Sequence, residues 1–364
     1  MNRVRVRAPG KAVLLGEYAV LEGAPALSMG VDRYARVLIE PCLADQQQIS
    51  ADSLGVSPLP FSTVPDGDLV WDVDSPSWPA LDRTATLLGM LHQLARRRFG
   101  ACPPFRVAID TRDLYLDRGR GATVKLGLGS SSAVAVALDA GLRSYFGGSD
   151  VSGLSLSALN RLLQPYRHGQ SGNGSGVDLA SSLCGGVIRY QLTGEGQKAE
   201  VSSVGLPEGL MMLFVWTGRP ASTPKLVERY RAWREQQPAR SSRLVEQMVA
   251  ACERAQSAIE LGDADALVEQ IASYGELMGT IGVEMAVAIV DEAHASIRAR
   301  AEGLGIAYKP CGAGGGDLGM AAATDPGQLH ELENWLVEND FMPLALTVDA
   351  QGVDARLEPA ETTS

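Results

Sequence analysis

The stretch that decides the fold reads Lys125-Leu126-Gly127-Leu128-Gly129-Ser130-Ser131-Ser132-Ala133 and runs into the apolar segment 134–142. Glycines followed by three serines are typical of a tight loop that enters a buried helix, because glycine accepts positive φ angles and serine caps helices. The unpaired N–H groups and the positive end of the helix dipole then face whatever lies in front of the loop. The stretch therefore predicts an anion site, with phosphate as its natural occupant. A plain Gly-Ser turn that caps a core helix is the alternative.

The composition limits the class of protein. With 364 residues, 45% hydrophobic and 21% charged, the chain is long enough for two globular domains. A net charge of −11 argues against nucleic acid or an acidic membrane surface as a partner. The five cysteines form no CxxC pair, which favours reduced thiols. The sequence also has no signal-peptide pattern and no apolar run of about 18 residues, so we expect a cytoplasmic protein that binds no membrane.

Periodicity places strands and helices along the whole chain. Alternation predicts a strand at 3–8, which we expect Pro9-Gly10-Lys11 to break, and a second at 26–39. Residues 41–79 are interpreted as a long, partly irregular excursion, and 110–124 as a charged loop. Further strands are predicted at 105–109, 185–191, 210–216, 318–323 and 343–349, and helices at 81–98, 154–166 (capped by Ser152), 178–183, 222–236, 240–260, 263–279, 285–302 and 326–339.

The order of these elements indicates the fold class. Strands and helices are mixed in each half without a regular βαβ repeat, which favours an α+β fold. The polar, glycine-rich stretch 194–209 is the candidate boundary. We therefore predict an N-terminal domain at 1–200 and a C-terminal domain at 201–364.

Three more segments carry glycines or charges that call for an explanation. The first is Ala8-Pro9-Gly10-Lys11-Ala12-Val13-Leu14-Leu15-Gly16-Glu17-Tyr18-Ala19-Val20. The second is the polar loop 168–178, which ends in Asp178, and the third is Lys309-Pro310-Cys311-Gly312-Ala313-Gly314-Gly315-Gly316-Asp317. Neither glycine loop matches the Walker A motif or the dinucleotide fingerprint.

Taken together, these segments resemble the motifs of the GHMP kinases, in the family's order and over essentially the whole chain. The resemblance implies the family's two-domain α+β fold. Its N-terminal domain is like ribosomal protein S5, its C-terminal domain is α/β, and the active site lies in the cleft between them. ATP and Mg²⁺ are the implied cofactors, a small phosphorylated acid is the implied substrate, and a monomer or homodimer is expected.

Details within the motifs resemble the phosphomevalonate kinase branch. These are Lys125 before the GLGSS run, the TGxxAS pattern at 217–222, and KP-x-GAGGGD at 309–317, where Cys311 replaces the usual Ser or Thr. The implied reaction is phosphorylation of 5-phosphomevalonate to 5-diphosphomevalonate.

Three alternatives stay open. One is a mevalonate kinase or another kinase of small alcohols, which the sequence SGVD at 175–178 favours. Arg167 stands where mevalonate kinases carry a metal-binding glutamate, which weakens that alternative. The others are a catalytically silent ligand-binding member and a decarboxylase that uses ATP.

The resemblance also implies roles for individual residues. The loop of Gly127, Leu128, Gly129, Ser130, Ser131 and Ser132 would hold the nucleotide phosphates, with Ser131 first and Ser130 second as Mg²⁺ ligands. Asp178 would orient or deprotonate the acceptor, and Lys11 and Lys125 would neutralise the two approaching phosphates. The substrate would contact Lys11, Glu17, Tyr18, Ser175, Arg219, Ser222, Thr223, Gly312, Ala313 and Gly314, with Arg167 and His168 as further phosphate ligands.

Several of these residues also have purely structural interpretations. Glu17 is equally consistent with a structural salt bridge. Asp317 would repel phosphate, so we expect it to bond to loop backbone. His92, His294 and His330 lie in helical patterns and are interpreted as ordinary residues.

Overall fold

The computed structural model describes residues 2–52, 55–117, 123–152, 156–169, 174–193 and 198–359. The strands are β1 (Asn2–Leu15), β2 (Ala26–Pro41), β3 (Gln48–Ala51), β4 (Val56–Thr63), β5 (Leu69–Trp71), β6 (Phe105–Asp110), β7 (Tyr115–Asp117), β8 (Thr123–Lys125), β9 (Val151–Ser152), β10 (Val187–Thr193), β11 (Lys198–Ser203), β12 (Met211–Trp216), β13 (Ala307–Cys311), β14 (Leu318–Ala323), β15 (Met342–Leu344) and β16 (Asp354–Pro359). The helices are α1 (Trp78–Phe99), α2 (Ser130–Gly147), α3 (Leu156–Gly169), α4 (Val177–Cys184), α5 (Thr223–Gln236), α6 (Pro238–Leu261), α7 (Ala264–Glu284), α8 (Glu292–Gly303) and α9 (Pro326–Glu338).

A large sheet forms the N-terminal half. Its strands follow the order β5-β4-β3-β6-β2-β1-β16-β9, and β10 pairs with both β2 and β11. Helices α2 and α4 pack on β1 and β2. This packing buries the apolar residues of α2 almost completely. The α+β class is confirmed.

Strand β1 does not end at Pro9. The prediction of a break at Pro9-Gly10-Lys11 was wrong, because the pairing with β2 continues through a register shift between Pro9 and Gly10. A bulge at this point tolerates the missing N–H of proline. Gly10 is required there because a Cβ atom would lie 2.7 Å from the Leu128 carbonyl oxygen. The strand therefore carries Lys11 directly beneath the glycine–serine loop.

The glycine–serine loop enters its helix differently from the prediction. Gly129, with φ 74°, occupies the N-cap position, so the expected serine cap was wrong. The three serines form the first turn of α2, and Ser132 Oγ donates a hydrogen bond to the Gly129 carbonyl at 2.7 Å. The loop nevertheless presents the N-terminus of a buried helix, as predicted.

A smaller sheet, in the order β13-β14-β12-β15, forms the centre of the C-terminal half. Every residue of β14 is buried, because α7 packs on one face of the sheet and α8 and α9 pack on the other. Helices α6 and α7 pack against each other. The small side chains of Ala321, Ala322 and Ala323 in β14 allow the helices on both faces to approach the sheet closely.

Several predicted boundaries were wrong because tertiary pairing outweighed local composition. Residues 41–79 contain β3, β4 and β5, and 110–124 contains the hairpin of β7 and β8, with 118–122 outside the described residues. Ser152 lies in β9, α8 begins at Glu292, and β15 ends at Leu344. Residues 153–155, just before α3, lie outside the described residues, so the cap by Ser152 stays a prediction. Part of the polar loop, 170–173, and the start of the glycine-rich stretch, 194–197, lie outside the described residues.

The domain division at 200 and 201 stays a prediction. Strand β11, at 198–203, pairs with β10 of the large sheet. Strand β16, near the C-terminus, pairs with β1 and was not predicted from the sequence. Among the described residues, none of the helices combines the length and the apolar character needed to cross a membrane.

His92 provides a test of the α1 packing through pH. Its ring is 2% exposed and stacks on Phe105, and burial lowers its pKa to about 4. The unfolded chain binds the His92 proton more tightly than the folded protein does. The free energy of unfolding therefore decreases as pH falls from about 6.5 toward 4. Urea unfolding of His92→Phe should show a weaker pH dependence than wild type, by up to about 1.4 kcal/mol per pH unit in this window. The matched control is His330→Gln at an exposed position, and an equal slope in wild type and His92→Phe would contradict the assignment.

Candidate active site

A cleft of about 770 Å³ brings the four motif segments together. The predicted site residues that line it are Lys11, Glu17, Tyr18, Lys125, Gly127, Leu128, Gly129, Ser130, Ser131, Ser175, Asp178, Ser222, Thr223, Gly312, Ala313 and Gly314. Ser132 and Arg219 are not in the lining: Ser132 is buried in the first turn of α2, and Arg219 has an exposed side chain. Segments far apart in sequence therefore form one site.

The glycine–serine loop leaves its backbone open toward this cleft. Gly127 and Gly129 have φ angles of 79° and 74°, a region in which side chains are rare. Ser130 and Ser131 line the cleft at the N-terminus of α2. Backbone N–H groups at a helix N-terminus together with two hydroxyls form an arrangement suited to bind phosphate oxygens.

Both lysines line the cleft beside this loop. The backbone N–H of Lys11 donates to the Leu128 carbonyl at 2.8 Å, and its Nζ lies 3.5 Å from the Gly127 carbonyl oxygen. Lys125 ends β8, and its side chain is exposed in the cleft. Both charges act on Asp317: burial raises the pKa of that carboxyl, while the Ala221 N–H, Lys11 and Lys125 oppose the rise. Positive charge is therefore concentrated here within an acidic protein.

The Asp178 carboxylate has a fixed orientation. Its Oδ2 accepts a hydrogen bond from the Tyr166 hydroxyl at 2.7 Å, and its Oδ1 accepts one from the Leu179 N–H at 3.1 Å. Gly176, with φ 89°, is the N-cap of α4 and lies two residues before Asp178. Asp178 thus enters the cleft from the first turn of a short helix, where a carboxylate interacts favourably with the helix dipole.

Arg167 bonds to the backbone beside Asp178. Its Nε donates to the Gly174 carbonyl at 2.9 Å and its Nη2 to the Ser175 carbonyl at 3.1 Å. The Tyr190 hydroxyl donates to the same Ser175 oxygen at 2.7 Å. Arg167 and His168 do not line the cleft, and the His168 side chain is exposed. Arg167 therefore holds the loop that carries Ser175.

Glu17 forms a buried ion pair, which the structural interpretation of this residue anticipated. Lys309 Nζ donates to Glu17 Oε1 at 2.5 Å, and the side chains are 0% and 4% exposed. The Gly312 N–H donates to the same oxygen at 3.0 Å. The carboxylate therefore holds the glycine loop 309–317 against the segment that follows β1.

Two tyrosines extend this junction. The Tyr18 hydroxyl donates to the Ala313 carbonyl at 2.6 Å, and Tyr18 itself has a φ of 62°, which is uncommon for a residue with a Cβ atom. The Tyr274 hydroxyl, from α7, donates to the Glu17 carbonyl at 2.6 Å. Tyr18 thus contributes both to the wall of the cleft and to the position of Ala313.

Asp317 bonds to backbone, as predicted, but to that of another segment. Its Oδ1 accepts from the Ala221 N–H at 3.0 Å, and its carbonyl accepts from the Thr217 N–H at 2.9 Å. Its own N–H donates to the Arg219 carbonyl at 2.7 Å. Asp317 therefore fixes the segment 217–221, which leads directly to Ser222 and Thr223.

His294 has a structural role that the sequence did not reveal. The ring is fully buried, with Nδ1 2.9 Å from the Tyr308 hydroxyl oxygen and Nε2 3.1 Å from the Gly316 carbonyl oxygen. Because the carbonyl can only accept, Nε2 carries the proton and Nδ1 accepts from Tyr308. Burial also lowers the pKa of His294. Helical spacing alone could not show that this ring supports the glycine loop 309–317.

The donor groups fit a magnesium ion that is held mainly by nucleotide phosphates. Among the described residues, no group of three or more His, Cys, Asp or Glu side chains is placed to hold a metal. The hydroxyls of Ser130 and Ser131 and the carboxylate of Asp178 line the same cleft. Mg²⁺ commonly takes one or two protein oxygens and completes its shell with water and phosphate.

Comparisons with known proteins agree with this geometry. Residues 86–186 match the family model described as "GHMP kinases N terminal domain". The chain is 31% identical to a phosphomevalonate kinase of a Streptomyces species over 95% of this chain and 97% of the relative. It is 26% identical to a mevalonate kinase of Thermococcus sibiricus over 96% of this chain and 98% of the relative. The solved phosphomevalonate kinase of Streptococcus pneumoniae, in complex with phosphomevalonate and AMPPNP, has a TM-score of 0.73 at 23% identity, covering 95% of this chain and 99% of that one.

The Glu17–Lys309 pair provides a stability prediction. Glu17→Gln leaves a buried lysine charge without its partner, which costs about 3–5 kcal/mol of unfolding free energy in comparable cases. The matched control is Arg298→Ala, which removes an i,i+4 pair with the more exposed Glu302 and should cost less than about 0.5 kcal/mol. Urea unfolding monitored by tryptophan fluorescence measures both. A loss below about 1 kcal/mol for Glu17→Gln would contradict the importance of the pair.

Proposed function

The chain belongs to the GHMP kinase family, and we propose that it transfers the γ-phosphoryl group of ATP to the phosphate of 5-phosphomevalonate. The observation that carries the proposal is that Lys11 and Lys125 line one cleft together with the glycine–serine loop. Joining two phosphates brings two anions into contact, and neutralising that charge is the main task of the protein. The 31% identity to a phosphomevalonate kinase supports this choice of acceptor.

We assign the nucleotide phosphates to the backbone from Gly127 to Ser131. Lys11 would lie beneath the transferred group, because its side chain runs along the loop: a Cβ atom on Gly129 would be 2.9 Å from Lys11 Cγ. Lys125, which ends β8 and lines the same cleft, would add a second positive charge beside these phosphates. The ATP γ-phosphorus would accept the acceptor's phosphate oxygen as the bond to the β-phosphate oxygen breaks, and ADP leaves with that electron pair.

Asp178 would orient the acceptor rather than serve as an essential strong base. The second ionisation of a phosphate monoester has a pKa near 6, so the acceptor oxygen is largely ionised at neutral pH. Tyr18, Ser222, Thr223 and the loop Gly312–Gly314 would form the acceptor's side of the cleft, with Ser175 beside Asp178. Glu17 and Asp317 would act by holding these loops in place.

Ser131 and Ser130, with Asp178, would hold Mg²⁺ together with the nucleotide. The ion would supply charge neutralisation across the phosphates. Arg167 is engaged with two backbone carbonyls in the position of the mevalonate kinase glutamate, so we place no metal contact there.

Mevalonate kinase is the second candidate. The sequence SGVD at 175–178 and the 26% identity to a mevalonate kinase over nearly the full chain favour it. An alcohol acceptor needs its proton removed, so Asp178 would then serve as a general base. Arg167 in place of the metal-binding carboxylate favours the phosphate acceptor instead.

The acceptor itself is tested by a panel. Purified protein with Mg-ATP should release ADP in a coupled assay with phosphomevalonate, and much more slowly with mevalonate, homoserine or a sugar. Carbon dioxide release from diphosphomevalonate, measured in parallel, tests the decarboxylase alternative and should be absent. Turnover of mevalonate without turnover of phosphomevalonate would contradict the proposal.

Lys125 should distinguish the two kinds of acceptor. Lys125→Ala is expected to lower kcat/KM for phosphomevalonate by about 100-fold, since it removes a cation between two phosphates. Residual activity on an alcohol acceptor should fall by less than about tenfold, because only one phosphate chain is then present. Lys198→Ala, at an exposed lysine of β11 outside the cleft lining, is the control. Equal losses on both acceptors would remove Lys125 as the determinant.

A further inference from the structure

Tyr166 contacts Asp178 but does not belong to any of the motifs. It lies near the C-terminal end of α3, outside the four motif segments, and only 3% of it is exposed. Its ring packs in the main hydrophobic core, while its hydroxyl lies 2.7 Å from Asp178 Oδ2. Because an ionised carboxylate has no proton to give, the tyrosine must donate in this hydrogen bond.

We infer that Tyr166 is a positioning residue for the phosphoryl-transfer step, acting through the carboxylate of Asp178. This role rests on the kinase reaction proposed above. Asp178 Oδ1 is held by the Leu179 N–H, so the Tyr166 hydroxyl supplies the second contact and fixes the plane of the carboxylate. The remaining lone pairs of both oxygens are then directed at the acceptor or the metal shell.

The hydrogen bond also moderates the negative charge of Asp178. A carboxylate beside two phosphates is repelled by them, and a hydrogen bond from a neutral donor offsets part of that repulsion. The loop on the other side of Gly176 is held separately, by Arg167 and Tyr190 at the carbonyls of Gly174 and Ser175. Tyr166 thus contacts the Asp178 carboxylate itself, whereas the hydrogen bonds of Arg167 and Tyr190 described here go to backbone carbonyls.

A double-mutant cycle tests this role. Tyr166→Phe deletes the hydroxyl and keeps the ring, and should lower kcat by about tenfold, with KM for ATP and for the acceptor changed less than about twofold. In the Asp178→Asn background the same deletion should change the rate by less than about twofold, because the carboxylate it positions is gone. Single-turnover transfer from radiolabelled ATP measures the slow variants.

Tyr190→Phe is the matched control. It deletes one hydroxyl that donates to the Ser175 carbonyl, at the same 2.7 Å distance, without contacting Asp178. Its effect on the rate should be the same in both backgrounds. Thermal unfolding of both Tyr→Phe variants separates a loss of stability from the coupling, since each retains its ring and loses one hydroxyl.

Two results would overturn the inference. One is a kcat of Tyr166→Phe within about twofold of wild type; the other is an equal rate loss from Tyr166→Phe with and without Asp178. The cycle is run with the acceptor that the panel identifies. If mevalonate is that acceptor, the proposed substrate is wrong while the cycle still tests Tyr166. A protein that transfers phosphate to none of the panel contradicts both.

Discussion

The buried ion pair between Glu17 and Lys309 is the interaction on which the arrangement of the cleft depends. Two charges with almost no exposure are stable only when they are paired and hydrogen-bonded, and Glu17 Oε1 accepts from both Lys309 Nζ and the Gly312 N–H. The pair joins the segment after β1 to the glycine loop 309–317. These two segments, at Glu17 and Lys309, are 292 residues apart in the chain. Tyr18 and Tyr274 add hydrogen bonds at the same junction. Because Lys11 precedes Glu17 on the same strand-and-turn segment, fixing Glu17 also fixes the lysine that faces the glycine–serine loop.

This junction bears on how an acidic protein would bind the anions of the proposed reaction. The chain carries a net charge of −11, yet Lys11 and Lys125 line the cleft together with the glycine–serine loop at the positive end of α2. The nearby carboxylates are each engaged: Asp317 with the Ala221 N–H, Asp178 with Tyr166 and Leu179, and Glu17 with Lys309. Hydrogen bonds of this kind spread negative charge onto neighbouring donors and keep it oriented, so that the cations and N–H groups dominate where phosphates approach.

The sequence allowed prediction of what short motifs encode, and failed where contacts between distant segments decide. The loop at 127–132 was predicted because glycine and serine have strong local preferences, although Gly129 rather than a serine takes the N-cap. Asp317 was predicted to bond to backbone because a carboxylate in an anion site needs donors. The continuation of β1 through Pro9 depends on a bulge against β2, and the place of β16 in the large sheet depends on pairing across the whole chain. Neither leaves a local signal. His294 and Tyr166 look like ordinary helical residues in sequence, and only the folded structure brings them to Gly316 and Asp178.

Phosphorus NMR of the reaction product tests most directly whether the cleft joins two phosphates. Phosphomevalonate is incubated with Mg-ATP and the wild-type protein, and the spectrum is followed until the nucleotide is consumed. We expect the monoester resonance of the substrate to disappear and a pair of mutually coupled resonances to appear in addition to the pair from ADP, as a diphosphate of the acceptor requires. A second monoester resonance on the same compound would show that a hydroxyl is the acceptor, and an unchanged spectrum would show that phosphomevalonate is not a substrate. Either result would contradict the role assigned to Lys11 and Lys125.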